Sequence, residues 1–211
     1  LDGSGTKGTM TITVTRNPAT ANSLFINEIM ASNIDEYISP AFNFEGWMEV
    51  YNPTDRPVEL SGLKISDPMN GEGPWTMPQV MGVIPANSYR LIWFDSADLR
   101  PDQVPFKLDT DGGTILITDE NDNVIASQDY PAAMERISYA RATDQTGAWG
   151  YTGTPTPGSS NNGITLLTSQ LAAPVVDQPS QLFNGSLTIN VTIPGGCTLH
   201  YTTDGTLPTL Q

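Results

Sequence analysis

Glycine and proline punctuate this chain so densely that a long helix has no room between them. The 211 residues hold 19 Gly and 17 Pro. Between those breaks the apolar residues come in short runs at alternate positions, the pattern of strands with one or both faces buried. The three-and-four spacing of a helix is missing. Its weak exception, Ser96 to Leu99 before Pro101, is predicted to make one turn at most. The predicted fold class is therefore all-β. Tyr89-Arg90-Leu91-Ile92-Trp93-Phe94 is apolar on both faces and reads as an inner strand of a sandwich or barrel. Thr114-Ile115-Leu116-Ile117-Thr118 reads the same way. Trp47-Met48-Glu49-Val50-Tyr51 stops at Asn52-Pro53, since proline cannot continue a central strand. Asp111-Gly112-Gly113 and Asp119-Glu120-Asn121-Asp122-Asn123 are turns on either side of the Ile115 strand. The second turn links that strand to Val124-Ile125-Ala126-Ser127 as a hairpin.

Three segments separate along the chain. Residues 1–22 hold one strand, Thr9 to Thr15, in which Met10, Ile12 and Val14 alternate with threonines. It is either the last strand of a preceding domain or an added edge strand. Residues 24–162 are the main body, closed by a run rich in Pro, Gly, Ser and Asn that begins at Thr154. Residues 163–169 read as a linker. Residues 170–211 are Thr-rich and nearly uncharged, with strand signals at 186–193 and 197–203. Charge follows the same division. Residues 24–162 carry 20 of the 23 acids and 7 of the 9 bases, so they hold -13 of the net -14.

That balance excludes several classes of function. An acidic surface repels phosphate backbones, so nucleic acid is not an expected partner. A grip on anionic lipid is disfavoured for the same reason. No run approaches the length of a membrane span, so direct membrane insertion is not expected. Basic partners and cations are favoured. One Cys and one His cannot build a disulfide or a Cys/His zinc cluster. A Ser–His–Asp triad would have to use His200, close to the C-terminus. The chain starts at Leu1 and shows no signal peptide, so a leader is expected to have been removed ahead of this fragment.

The main body resembles the lamin tail domain, an immunoglobulin-like β-sandwich found in nuclear lamins and in many secreted bacterial proteins. Five pieces occur in the family's order. Ile26-Asn27-Glu28-Ile29-Met30-Ala31-Ser32-Asn33 resembles the opening strand. Gly46-Trp47-Met48-Glu49-Val50-Tyr51-Asn52-Pro53-Thr54 resembles the W-x-E-x-Y-N signature. Val58-Glu59-Leu60-Ser61-Gly62-Leu63-Lys64-Ile65-Ser66-Asp67 resembles the next strand. Ile84-Pro85-Ala86-Asn87-Ser88-Tyr89 resembles the family's I-P-A-G turn, and Pro155-Thr156-Pro157-Gly158-Ser159-Ser160-Asn161 its closing piece. Residues 170–211 resemble the start of the small β module at the C-terminal end of chitobiase-type hexosaminidases. The mark is Tyr201-Thr202-Thr203-Asp204-Gly205-Thr206-Leu207-Pro208-Thr209. That module is expected to be cut short at Gln211. The predicted architecture is thus an immunoglobulin-like sandwich plus a partial small β module.

Few residues suggest chemistry. Glu28 and Glu49 are the most suggestive pair, since two carboxylates in a cleft can do acid–base work. No base, nucleophile or ligand set accompanies them, so they are expected to accept backbone hydrogen bonds and close loops. Asn27 and Asn52 carry the same expectation. Asp109 and Asp111, then Asp119, Glu120 and Asp122, offer oxygen ligands suited to calcium. The spacing is not that of an EF-hand, because Val124 stands at the position of the loop glycine. No cofactor is expected, with calcium the one alternative. Trp47 and Trp93 read as core. Trp75 and Trp149 sit in looser context and are the candidate sugar or partner contacts. His200 reads as a strand residue, and Cys197 as a packing residue or exposed thiol.

The resemblance implies a non-catalytic accessory module of an extracytoplasmic, multidomain bacterial protein, one that spaces or tethers its neighbours. The expected partners are neighbouring domains of the same polypeptide, with other proteins or glycans as alternatives. A carbohydrate-binding module is the second expectation and a carboxylate-based enzyme domain the third.

Overall fold

The computed structural model describes residues 17–97, 100–169 and 171–209. The strand expected over Thr9 to Thr15 lies outside the described residues, as does the second half of the turn expected at Ser96 to Leu99. The described residues divide into two units, one ending at Thr168 and the other beginning at Ser169.

The first unit is built on two antiparallel sheets. Its strands are β1 (Phe25–Met30), β2 (Gly46–Asn52), β3 (Val58–Glu59), β4 (Lys64–Asp67), β5 (Glu72–Thr76), β6 (Val83–Ile84), β7 (Ser88–Phe94), β8 (Gly113–Thr118), β9 (Val124–Tyr130), β10 (Ser138–Arg141) and β11 (Trp149–Thr152). One sheet has five strands in the order β11-β10-β1-β2-β7, the other four in the order β5-β4-β8-β9. β3 and β6 pair in a small ribbon of their own.

The alternation read from the sequence positions the core. Ile26, Ile29, Met48, Val50, Ile92 and Phe94 come from the five-stranded sheet, and Ile65, Ile115, Ile117, Ile125 and Tyr130 from the four-stranded one. All are buried in a single cluster. Each such side chain contributes roughly 1.5–3 kcal/mol over leaving it in water. The ribbon and its flanking turns add Val58, Leu60, Leu63, Met77, Met81 and Ile84 to the same core. Two antiparallel sheets around one core make an immunoglobulin-like β-sandwich, and the all-β expectation holds.

β7 corrects one expectation. Its two apolar faces suggested an inner strand, yet it is an outermost strand of its sheet. Ile92 and Phe94 face the core, while Trp93 and Leu91 join Met30 and Trp47 in a second cluster on the opposite face. A local cover on the outer face, not a central position, explains the pattern. Val104 shields the end of the edge, donating its N–H to Trp93 O at 2.8 Å and accepting from Asp95 N–H at 2.8 Å. β8, expected as inner, lies between β4 and β9.

Both margins of the sandwich extend past the sequence reading. Residues 17 and 18 lie along β3, with Glu59 N–H donating to Asn17 O at 3.0 Å, and Ala19 joins the core. Residues 163–168 return along β11. Tyr151 and Leu167 exchange both backbone hydrogen bonds, at 2.8 and 2.9 Å.

The second unit has little regular structure. Strands β12 (Val175–Val176) and β13 (Val191–Thr192) pair with each other. The strand expected at 186–193 is reduced to its last part, and residues 197–203 form no strand. Leu182, Phe183, Ile189, Tyr201 and Leu207 are exposed, so the described residues of this unit form no core to fix those strands.

Candidate functional site

The suggestive carboxylates do meet. A β-bulge at Asn27 lets Glu28 pair directly with Glu49 across β1 and β2. Both side chains lie on the outer face of the five-stranded sheet, two residues from Met30 and Trp47 of the second cluster. Both are fully buried there. What buries them is the run from Thr154 to Asn162, which crosses that face as a strap.

The strap is fastened by its own donors. Glu28 accepts from Thr156 N–H at 3.1 Å, from the Thr156 hydroxyl at 3.0 Å and from the Ser138 hydroxyl. Glu49 accepts from Gly158 N–H at 2.5 Å and from the Asn27 amide at 3.0 Å. The same Asn27 amide donates to Asp144 at 2.9 Å. Asp144 also takes the Tyr89 hydroxyl at 2.7 Å, the Asn161 N–H at 3.0 Å and the Ser160 hydroxyl. Asn161 closes the ring by donating to Asn27 O at 2.9 Å.

Electrostatics separate these acids. Burial pushes Glu49 up to about 8, against the hydrogen bonds from Asn27 and Gly158, and the nearby charges of Glu28 and Asp144 push the same way. Burial also raises Glu28, against the donors from Ser138 and Thr156. Burial acts upward on Asp144 too, but there the donors from Ser160, Tyr89, Asn161 and Asn27 win and its pKa falls. A neutral carboxyl beside an ionised one can do acid–base chemistry only where a substrate reaches it. Here each carboxylate is occupied by groups of the chain itself, so the pair works as a clasp. The expectation that Glu28 and Glu49 accept backbone hydrogen bonds fits this geometry, with side-chain donors added.

Asn52, the last residue of the signature, acts in the same way. Its buried amide donates to Arg56 O, Ile84 O and Pro85 O at 2.8, 3.0 and 2.9 Å, and its oxygen accepts from Thr54 N–H at 2.9 Å. It joins the turn after β2 to the end of β6.

The tryptophan candidates sit apart. Trp75 lies on edge strand β5 of the four-stranded sheet, and Trp149 on edge strand β11 of the five-stranded sheet. Both are half-buried against the core. Trp149 stacks on Tyr139 with centroids 5.1 Å apart, and the Arg141 guanidinium lies 4.8 Å from its ring centre. Its buried Nε1 has no hydrogen-bond partner among the described residues.

The acidic turns do not combine. Asp109 and Asp111 precede β8, and Asp119 and Asp122 follow it, roughly 20 Å away by strand rise. Asp109 accepts Asp111 N–H at 2.8 Å. Asp119 accepts the Asn121 and Asn123 N–H groups, each at 2.8 Å, and Asp122 pairs with Lys64 at 2.7 Å. The contacts of Asp109 and Asp119 close their own turns, and that of Asp122 is an ion pair to β4. Among the described residues, no group of three or more His, Cys, Asp or Glu is placed to hold a metal ion.

Asp144, Ser138 and Tyr89 were not singled out from the sequence. Tyr89 lies far from the other two along the chain, all three lie far from Glu28 and Glu49, and the bulge at Asn27 and the crossing strap bring them together. The Pro-Gly-Ser-Asn composition of the strap was visible, but composition does not say what a loop covers.

The fold and its clasp define a class: an immunoglobulin-like β-sandwich module whose buried polar groups serve its own closure. The sequence profile of the lamin tail domain family matches residues 17–132, more than half of the chain, and the chain belongs to that family. No curated protein matches the chain. The match begins where residues 17 and 18 join β3 and ends before β10, β11 and the strap.

Proposed function

We propose that this chain is the non-catalytic interaction module of an extracytoplasmic, multidomain bacterial protein, spacing or tethering neighbouring domains of the same polypeptide. The observation that supports this reading is the clasp. The carboxylates best suited to chemistry, Glu28 and Glu49, are occupied by Ser138, Thr156, Asn27 and Gly158 of the chain itself. In this reading the Thr-rich second unit is the start of a chitobiase-type β module that follows the sandwich in the chain. The test is a glycan array, with and without calcium, run beside a panel of chromogenic ester, phosphate and glycoside substrates. The expected result is no binding and no turnover on any arm. Turnover abolished by Glu49→Gln would overturn the reading in favour of an enzyme.

A second reading, a carbohydrate-binding module, draws on the aromatic group of Tyr139, Trp149 and Tyr151 with Arg141 beside it. Glycan binding that falls on Trp149→Ala would establish it in place of the first. Glycan binding seen only with calcium, and reduced by changing Asp109 or Asp119, would add calcium as its cofactor.

A further inference from the structure

The connection between β1 and β2, residues 31–45, turns apolar side chains into water. Phe42 is 90% exposed and Ile38 61%, with Ile34 and Phe44 exposed beside them. Single apolar residues on a surface need no explanation, but four within one loop do. The loop is held firmly. Buried Asn33 donates its amide to Tyr37 O at 2.6 Å and to Glu45 O at 2.9 Å, tying both limbs together. Near the tip, Ser39 N–H donates to Asn43 O at 2.8 Å and Phe42 N–H to Ser39 O at 2.9 Å. Asn43 anchors the tip to Asp95 at 2.8 Å.

Phe42 is also in the wrong conformation for its type. Its φ of 63° is left-handed, where Gly or Asn sits easily and a bulky residue is strained. A ring that lies almost wholly in water gains no packing to offset that strain. Its size and apolarity therefore do nothing for the fold, and strain of this kind clusters at binding sites.

Charge narrows the partner. Asp35 takes two hydrogen bonds from the Arg136 guanidinium, the Nε one at 2.6 Å. The Asp35 pair, then the charges of Glu135 and Glu36, hold the Arg136 pKa above its ordinary value. Three acids thus surround one base at the foot of the loop, on a chain of net charge -14. Anionic lipid and a second copy of the chain are both repelled by such a rim.

We infer that the 31–45 loop is a preformed docking knob for a protein partner whose apolar pocket is rimmed by Lys or Arg. This rests on the interaction-module reading and names the surface that module uses.

The test is a phage-displayed library of short random peptides, selected on the full chain and counter-selected on Phe42→Asn. Enriched peptides are expected to carry Lys or Arg beside aromatic or large aliphatic residues. A synthetic copy of the best should lose about tenfold or more in affinity on Phe42→Asn and weaken with added salt. The variant should melt at the same temperature as the parent or higher, because Asn accepts the left-handed backbone. A lower melting temperature would make Phe42 a structural residue and overturn the inference. So would peptides that are acidic, absent, or bound equally by the variant. Phosphatidylcholine vesicles and sedimentation of the chain alone complete the test. Phe42-dependent binding in either arm gives the loop a different occupant and also overturns the inference. Silent peptides together with silent glycan and substrate panels remove this inference alone. A glycan or substrate hit removes the interaction-module reading, whatever Phe42→Asn does.

Discussion

Glu49 is a buried carboxyl whose pKa lies far above that of an exposed glutamate, and this has a defined effect on stability. Burial, opposed by Asn27 and Gly158, holds it at about 8 in the folded chain, against an ordinary value of 4.5. Between those values the unfolded chain has released the proton and the folded chain retains it. The contribution of Glu49 to stability is therefore full below about pH 4.5 and is lost as pH rises toward about 8. Glu28, raised by the same cause, adds a slope of the same sign. Glu49→Gln should flatten this part of the profile, with a gain relative to the parent on the order of a few kcal/mol at pH 8.5. Urea unfolding of both proteins across pH 5 to 9 reads the difference directly. Parallel profiles would mean that Glu49 titrates normally. Asn52 makes the complementary case, since it carries no charge. Asn52→Ala removes the donor shared by the carbonyls of Arg56, Ile84 and Pro85 and frees the turn after β2, at a cost of roughly 2–3 kcal/mol. A loss below about 0.5 kcal/mol in the same urea assay would show that water replaces the amide. Both residues were legible from the W-x-E-x-Y-N stretch. Their partners were not, because hydrogen bonds to residues 84 and 158 depend on the crossing of loops.

Among the elements, strands that bury one face were readable and those shaped by a local exception were not. β2 and the β8–β9 hairpin follow from alternation and from the turn residues that end them. The bulge in β1 has no signature in Ile26-Asn27-Glu28, yet it alone brings Glu28 opposite Glu49. β7 misleads because the Met30, Trp47 and Trp93 cluster gives an edge strand the pattern of an inner one. The segment 163–168 was read as a linker from composition, but backbone pairing at Tyr151 and Leu167 needs no particular side chains. That pairing needs space instead. A Cβ added to Gly150 would lie 2.8 Å from Leu167 O and 3.0 Å from Leu166 Cβ. Gly150→Ala should therefore lift residues 163–168 from β11 while leaving the core intact. Limited proteolysis should cut there faster than in the parent, and the Leu167 amide should lose its hydrogen-exchange protection. Unchanged protection at Leu167 would show that β11 shifts to admit the methyl group.

At the scale of the whole molecule, the charge and the core belong to the same segment. The sandwich holds nearly all of the acids, carried mainly in turns and loops, and every residue of the main hydrophobic cluster. Residues 171–209 carry two acids and no Lys or Arg, and pair only over β12 and β13. Thr-rich alternation was enough to suggest strands at 186–193 and 197–203. A strand persists only where one of its faces is covered, and the apolar residues of this unit are exposed. The two units should therefore differ sharply in hydrogen exchange, because protection follows buried, cooperatively packed backbone. In the intact chain at neutral pH, amides of β1, β2, β4 and β8 should exchange only through global opening. Those of residues 171–209 should exchange at close to the rate of an unstructured peptide, with modest slowing at Val175, Asp177 and Thr192, whose N–H groups take the hydrogen-bonded positions of the β12–β13 pair. Mass spectrometry of peptic fragments resolves the two classes. Strong protection across 186–203 would mean that a cooperative core forms in the second unit, and would restore the strands expected there from the sequence.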